Sequence, residues 1–208
     1  MAVNVPEVYM SSGGVPALYD WLDLIQGVGY KRFYLANGSD STGSFQFLSP
    51  ESNLDSGGAG VMDTESTDFD YDITFGTPAT IMNADALINF TCRAGTTGSD
   101  IHLHIDIFHV REDIGGVTET PINTSVESST YTGNNTDRYY RACIKTALTR
   151  TRFAIGDKLR INILGHESHA GDNSYYADPA STITYTEFGT NRTIGTDFTI
   201  DIPFKVEI

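Results

Sequence analysis

Three residues that could do chemistry lie in the run DIHLHIDIFHV. His102, His104 and Asp106 alternate there, and residues two apart on an extended chain share one face. Two imidazoles held this way can share a metal ion, as they do in cupins. The cupin pattern also asks for a glutamate a few residues on, where Phe108 and His109 stand. It asks for a third histidine on a later strand, a part that would fall to His166 or His169. The polar outer face of a half-buried strand accounts for the same residues without a metal. The run GHESHAG looks briefly like a zinc-protease motif, but His166 and His169 are three apart in a Gly- and Ser-rich stretch. The motif needs spacing four on a helix.

Asp68, Asp70 and Asp72 form a second cluster of this kind. Three carboxylates on one strand face offer oxygen ligands to Ca²⁺, and they also repel one another until a counter-charge is supplied. No glycine and no closing glutamate follow at the spacing of a Ca²⁺-binding loop. A solvated strand face is the plainer account. The chain has no G-x-S-x-G nucleophile elbow and no glycine-rich phosphate loop opening a helix. No catalytic residue, metal or cofactor is therefore expected. The two cysteines, Cys92 and Cys143, do not make a disulfide framework. Both sit in strand-like runs, which predicts two buried thiols and leaves a single bridge between strands open.

The elements that would position these groups are strands. In DFDYDITF, Phe69, Tyr71, Ile73 and Phe75 share a face opposite the aspartates. Ala86, Ile88, Phe90 and Cys92 alternate in ADALINFTC, and Ile101, Leu103, Ile105 and Ile107 in the histidine run. Tyr140, Ala142, Ile144 and Leu148 follow, then Leu159, Ile161 and Ile163. The last run places Phe198, Ile200, Ile202, Phe204, Val206 and Ile208 together, which predicts a central strand. Pro203 interrupts it, because it cannot donate to a ladder, and implies an edge register or a bulge. The pattern predicts an all-β, antiparallel sandwich of about 8–10 strands joined by short turns. One helix is expected near the start, where Leu18, Trp21, Leu22 and Ile25 fall on one apolar face behind Pro16. Residues 1–30 then read as an N-terminal arm and residues 31–208 as the sandwich domain.

Composition agrees. The 208 residues are 39% hydrophobic and 19% charged, with 20 glycines, as in turn-rich β proteins. The net charge of −14 argues against binding nucleic acid or an anionic membrane. No apolar run reaches the roughly 20 residues of a membrane span, and the opening MAVNVPEVYMSSGG has no signal-peptide pattern. Charge is also unevenly placed. No Lys or Arg stands between Arg32 and Arg93, whereas Arg138, Arg141, Lys145, Arg150, Arg152, Lys158 and Arg160 lie close together. Two accounts stay open: acidic and basic strands side by side in one sheet, or complementary patches on neighbouring subunits.

The segment RFAIGDKLRINILGH resembles a recurrent piece of TNF/C1q-like jelly rolls, carried by Phe153, Ile155, Gly156, Asp157, Leu159, Ile161 and Ile163. The following D-P turn, Thr-rich strand and final I-P-F-K are similar to the C-terminal part of small virion proteins of tailed bacteriophages. Tyr176, Asp178, Pro179, Ile202, Pro203, Phe204 and Lys205 carry that likeness. The resemblance implies a jelly-roll β-sandwich and a non-enzymatic virion structural protein, a head decoration (cement) or exterior capsid protein. Its partners would be the major capsid protein or other virion proteins, its state a homotrimer, and its place the capsid exterior after synthesis in the host cytoplasm. Leu18, Trp21, Leu22, Ile25, Tyr30, Phe33 and Tyr34 would then be the interaction residues. Three alternatives remain: a tail-fibre or spike head that binds sugars through Tyr139–Tyr140 and Tyr175–Tyr176, a cupin-like metalloprotein centred on His102 and His104, and a carbohydrate-binding module of a secreted enzyme.

Overall fold

The computed structural model describes residues 28–40, 43–52, 60–61, 68–95, 100–133, 138–167, 173–179, 181–187 and 189–205. The helix expected on Leu18, Trp21, Leu22 and Ile25 lies outside them. The strands are β1 (Val28–Asp40), β2 (Gly43–Ser49), β3 (Gly60–Val61), β4 (Asp68–Thr74), β5 (Ala79–Ile81), β6 (Asp85–Ala94), β7 (Asp100–Asp113), β8 (Gly116–Pro121) and β9 (Val126–Glu127). They continue with β10 (Tyr131–Thr132), β11 (Arg138–Ala147), β12 (Thr151–Phe153), β13 (Lys158–Glu167), β14 (Ser174–Tyr176), β15 (Thr182–Glu187), β16 (Thr190–Gly195) and β17 (Thr199–Lys205). The expected all-β class holds: the described chain is all strand and turn, a curled sheet of sandwich-like form. It is divided into seventeen strands, not the 8–10 expected, because several long runs are flanked by short two- and three-residue pieces. Val28–Tyr30, counted above with the arm, already pair with Lys205–Pro203.

The backbone of the fold is the order β10-β7-β13-β4-β2-β1-β17-β6-β14-β3. β11 lies on β6, and β8 and β9 lie on β7; β15 and β16 form a separate two-stranded ribbon. Among the described pairings all are antiparallel except the contact of β2 with β4 at Phe47 and Asp72. Curling brings the apolar faces together. Phe33, Leu35, Tyr71, Ile88, Phe90, Ile105, Ile161 and Ile200 are all fully buried in one cluster. The ring pairs Phe90–Phe198, at 5.3 Å, and Phe75–Phe153, at 4.8 Å, fill it. Tyr71 and Tyr175 reach across the core and share a hydroxyl–hydroxyl bond of 2.9 Å, so neither buried O–H is left unpaired.

β17 is central, between β1 and β6, so Pro203 does not lie on an edge strand. The ladder to β6 covers Thr199–Asp201, and β5 takes over at Phe204. Pro203 falls at the joint, and its carbonyl still accepts the Met82 N–H at 2.8 Å. The polar stretch after Asp113 proves to be the hairpin strand β8, with Gly116 at φ 125° in the turn. Every β8 residue is exposed, so no apolar phase marks it in the sequence.

The Gly-Asp turn before β13 is held by its own aspartate. Gly156 adopts φ 89°, where L side chains are strained. Asp157 accepts the Ala154 N–H at 2.8 Å and faces His109 Nε2 at 2.7 Å. Burial alone would raise the Asp157 pKa, but the Ala154 N–H, His109 and Arg111 outweigh it and hold it below the usual value. A lowered folded pKa stabilises above the unfolded value and is lost as pH falls through the folded one. Asp157→Ala is expected to cost about 1–3 kcal/mol at pH 7 in urea unfolding. The gap to wild type should narrow below roughly pH 4.

Candidate functional site

The outer face of β7 and β13 gathers most of the polar groups singled out in the sequence. β13 pairs with β7 over ten residues, from Lys158 opposite Val110 to Glu167 opposite Ile101. This register sets His166 beside His102. Their rings stack at 4.8 Å with planes 9° apart, and His104 stands 6.1 Å from His166. Imidazole lone pairs lie in the ring plane. The lone pairs of two near-parallel stacked rings therefore lie in separate planes and do not meet at one ion. No group of three or more His, Cys, Asp or Glu among the described residues could hold a metal. The cupin-like arrangement is thus not what the three histidines form; His169 lies outside the described residues.

His104 turns instead toward a different set of groups. Its Nε2 is in hydrogen-bond contact with the Ser125 hydroxyl. Asp106 Oδ2 is 3.3 Å from the same nitrogen, and Glu127 Oε1 is 3.7 Å from Nδ1. Ser125 and Glu127 come from the connection after β8 and the short strand β9. They were missed in the sequence because that stretch is mostly polar and Thr-rich, shows no sustained alternation and carries no motif. The connection is firmly tied. Asn123 Oδ1 accepts the Ile107 N–H at 2.8 Å, and its amide donates to Thr124 O at 3.1 Å. Beyond it, Ser128 N–H donates to Leu103 O at 2.8 Å, and Ser128 Oγ accepts the Leu103 N–H at 3.0 Å.

Two members of the aspartate row, Asp70 and Asp72, meet a cation from the neighbouring strand. Arg160 forks onto Asp72, with Nε and Nη2 each 2.8 Å from a carboxylate oxygen. Its Nη1 reaches Asp70 at 2.8 Å and Glu119 at 2.6 Å. The hydrogen bonds to Asp72, aided by the fields of Asp72, Asp70 and Glu119, outweigh burial and keep the guanidinium charged. Asn162 donates to Asp70 at 2.8 Å. The counter-charge that these carboxylates require is therefore a cationic side chain, and they do not form an open Ca²⁺ cradle. Lys158–Glu112, Arg141–Asp197 and Lys145–Asp85 likewise pair within the chain. Of the two accounts of the uneven charge, strands side by side in one sheet is the one these pairs realise.

The proposed interaction residues separate. Leu18, Trp21, Leu22 and Ile25 lie outside the described residues. Tyr30 is exposed and Tyr34 half-buried, but Phe33 is corrected: it faces inward on β1 and is fully buried, so it cannot dock on another protein. The tyrosine pairs are corrected too. Tyr175 is wholly buried, and Tyr140 packs on Tyr131 at 4.9 Å. Tyr139 stacks on Tyr185 of the β15–β16 ribbon at 4.6 Å, so its ring holds the ribbon to the body. The cysteines are both free, Cys92 buried and Cys143 exposed. They stand on opposite faces of the paired strands β6 and β11, with Cys143 opposite Asn89 and Cys92 opposite Tyr140, which excludes a bridge. Burial pushes the Cys92 thiol up to about 12, leaving it inert.

No family model matches the chain, and no curated protein matches it. Two crystal structures of a CocE/NonD family hydrolase from Staphylococcus aureus share the fold. One is 12% identical with a TM-score of 0.51 and covers 85% of this chain; the other is 14% identical with a TM-score of 0.52 and covers 86%. The chain spans 37% of the length of either hydrolase. The expectation of a capsid decoration protein, with its spike-head alternative, is corrected by this finding. Solved structures that share the architecture are hydrolases, so a jelly roll with a Gly-Asp turn does not single out a virion role. The turn belongs to the fold, because Asp157 is spent on its own backbone and on His109.

Arg160→Met should cost about 2 kcal/mol in urea unfolding, between the limits for exposed and buried pairs. Added Ca²⁺ is expected to leave the melting temperature of the wild type unchanged and to raise that of Arg160→Met, where the carboxylates are freed.

Proposed function

We propose that the chain is the β-sandwich module of a hydrolase, working beside a catalytic unit in the same polypeptide or in a partner subunit. The observation that carries this reading is the overlay: nearly the whole sandwich matches about a third of a hydrolase. The remaining two-thirds of that enzyme has no counterpart among these strands, and the sequence carries no nucleophile elbow. A sandwich of this kind contributes rigid surface, through which it packs against the unit that does the chemistry and shapes its entrance. The acidic surface supports a protein partner or a neutral ligand over nucleic acid.

The test is to tag the chain in its source, purify it under native conditions and identify accompanying polypeptide by mass spectrometry. The same fraction is assayed on p-nitrophenyl esters. The expected result is stoichiometric co-purification of sequence bearing a nucleophile elbow, with esterase activity that follows it through a second column. A chain that purifies alone, or only as copies of itself, would overturn the proposal.

A further inference from the structure

We infer that Ser125 is a nucleophile served by His104, and that this end of the sheet transfers acyl groups from small activated esters to water. The juxtaposition has three parts. The Ser125 hydroxyl contacts His104 Nε2, the atom that must take its proton. Glu127 Oε1 lies 3.7 Å from Nδ1, on the far side of the ring; it is beyond hydrogen-bond reach, and its charge there favours a proton on Nδ1. Asp106 Oδ2, 3.3 Å from Nε2, favours the charged ring once the serine proton has moved.

The supporting shell is rigid on each side. Asn123 and Ser128 tie the segment bearing Ser125 to the backbone of β7, and Val126 pairs with Ile105 between them. His166, stacked on His102, walls the other side of the His104 ring. Ser125 itself is exposed, so a substrate reaches it from solvent without opening the core.

The chemistry balances with water alone. Ser125 Oγ attacks the ester carbonyl as its proton passes to Nε2. The tetrahedral species breaks its bond to the leaving alkoxide, which takes that proton and departs as the alcohol. Water then attacks the acyl-serine, giving its proton to Nε2. The carboxylic acid leaves and Ser125 recovers its hydrogen.

This site is on the chain itself, so the test uses the purified full chain without any partner and is independent of the module reading. A fluorophosphonate probe should label one residue, identified as Ser125 by peptide mass spectrometry, and p-nitrophenyl acetate should be turned over. Ser125→Ala should abolish both, whereas Ser125→Cys should restore acyl transfer from the ester. His104→Gln is expected to slow labelling by at least about 100-fold. Glu127→Gln should slow it less, because Glu127 acts on the ring and not on the substrate. Circular dichroism melting of each variant separates loss of chemistry from loss of fold. Labelling elsewhere, no labelling of folded protein, or wild-type rates in folded Ser125→Ala would overturn the inference.

Discussion

One register decides most of this molecule: that of β13 between β7 and β4. Ile161 lies opposite Ile107 on one side and Tyr71 on the other, and Ile163 lies between Ile105 and Phe69. Because side chains alternate with period two, the same alignment forces Arg160 opposite Asp72 and Asn162 opposite Asp70 on the outer face. A slip by one residue would bury the charges and expose the aliphatics together. The dry face supplies the driving force, and the ion pairs outside make any other alignment worse. The pairing of His102 with His166, and hence the wall beside His104, follows from the same alignment.

The outer face therefore has two regions with different physics. Around Arg160, the carboxylates of Asp70, Asp72 and Glu119 each meet a donor. Around His104 the groups are unlike: a hydroxyl, two carboxylates and two further imidazoles, held by a tied connection and partly open to solvent. The first region stabilises the sheet. The second is where proton transfer is geometrically set up. The likeness to hydrolases concerns the fold, and the His104 cluster is a property of these particular side chains.

Legibility tracked the contrast between wet and dry faces. β4, β6, β7, β13 and β17 were readable because each alternates apolar and polar residues, and all of them carry core side chains. β8 was unreadable because both of its faces are wet. Phe33 was misassigned to a docking surface because an aromatic near a terminus looks the same whether it faces a partner or the core. Its burial depends on β17 lying alongside β1, 167 residues later by the pairing with Ile200. Cys143 was expected inside; the pairing of β11 with β6 turns it outward, while Ala142 and Thr146 on the other face are buried.

The sequence by itself determined the class of the protein. Period-two burial, abundant turn formers and a strongly acidic balance are local or additive properties, and they specify an all-β sandwich without reference to contacts. Tertiary structure alone decided what the polar residues do. Which cation meets Asp72, which nitrogen of His104 meets Ser125, and whether Cys92 can reach Cys143 depend on strand order and curl. Those are set by packing between segments far apart in the chain, and no local pattern of residues encodes them.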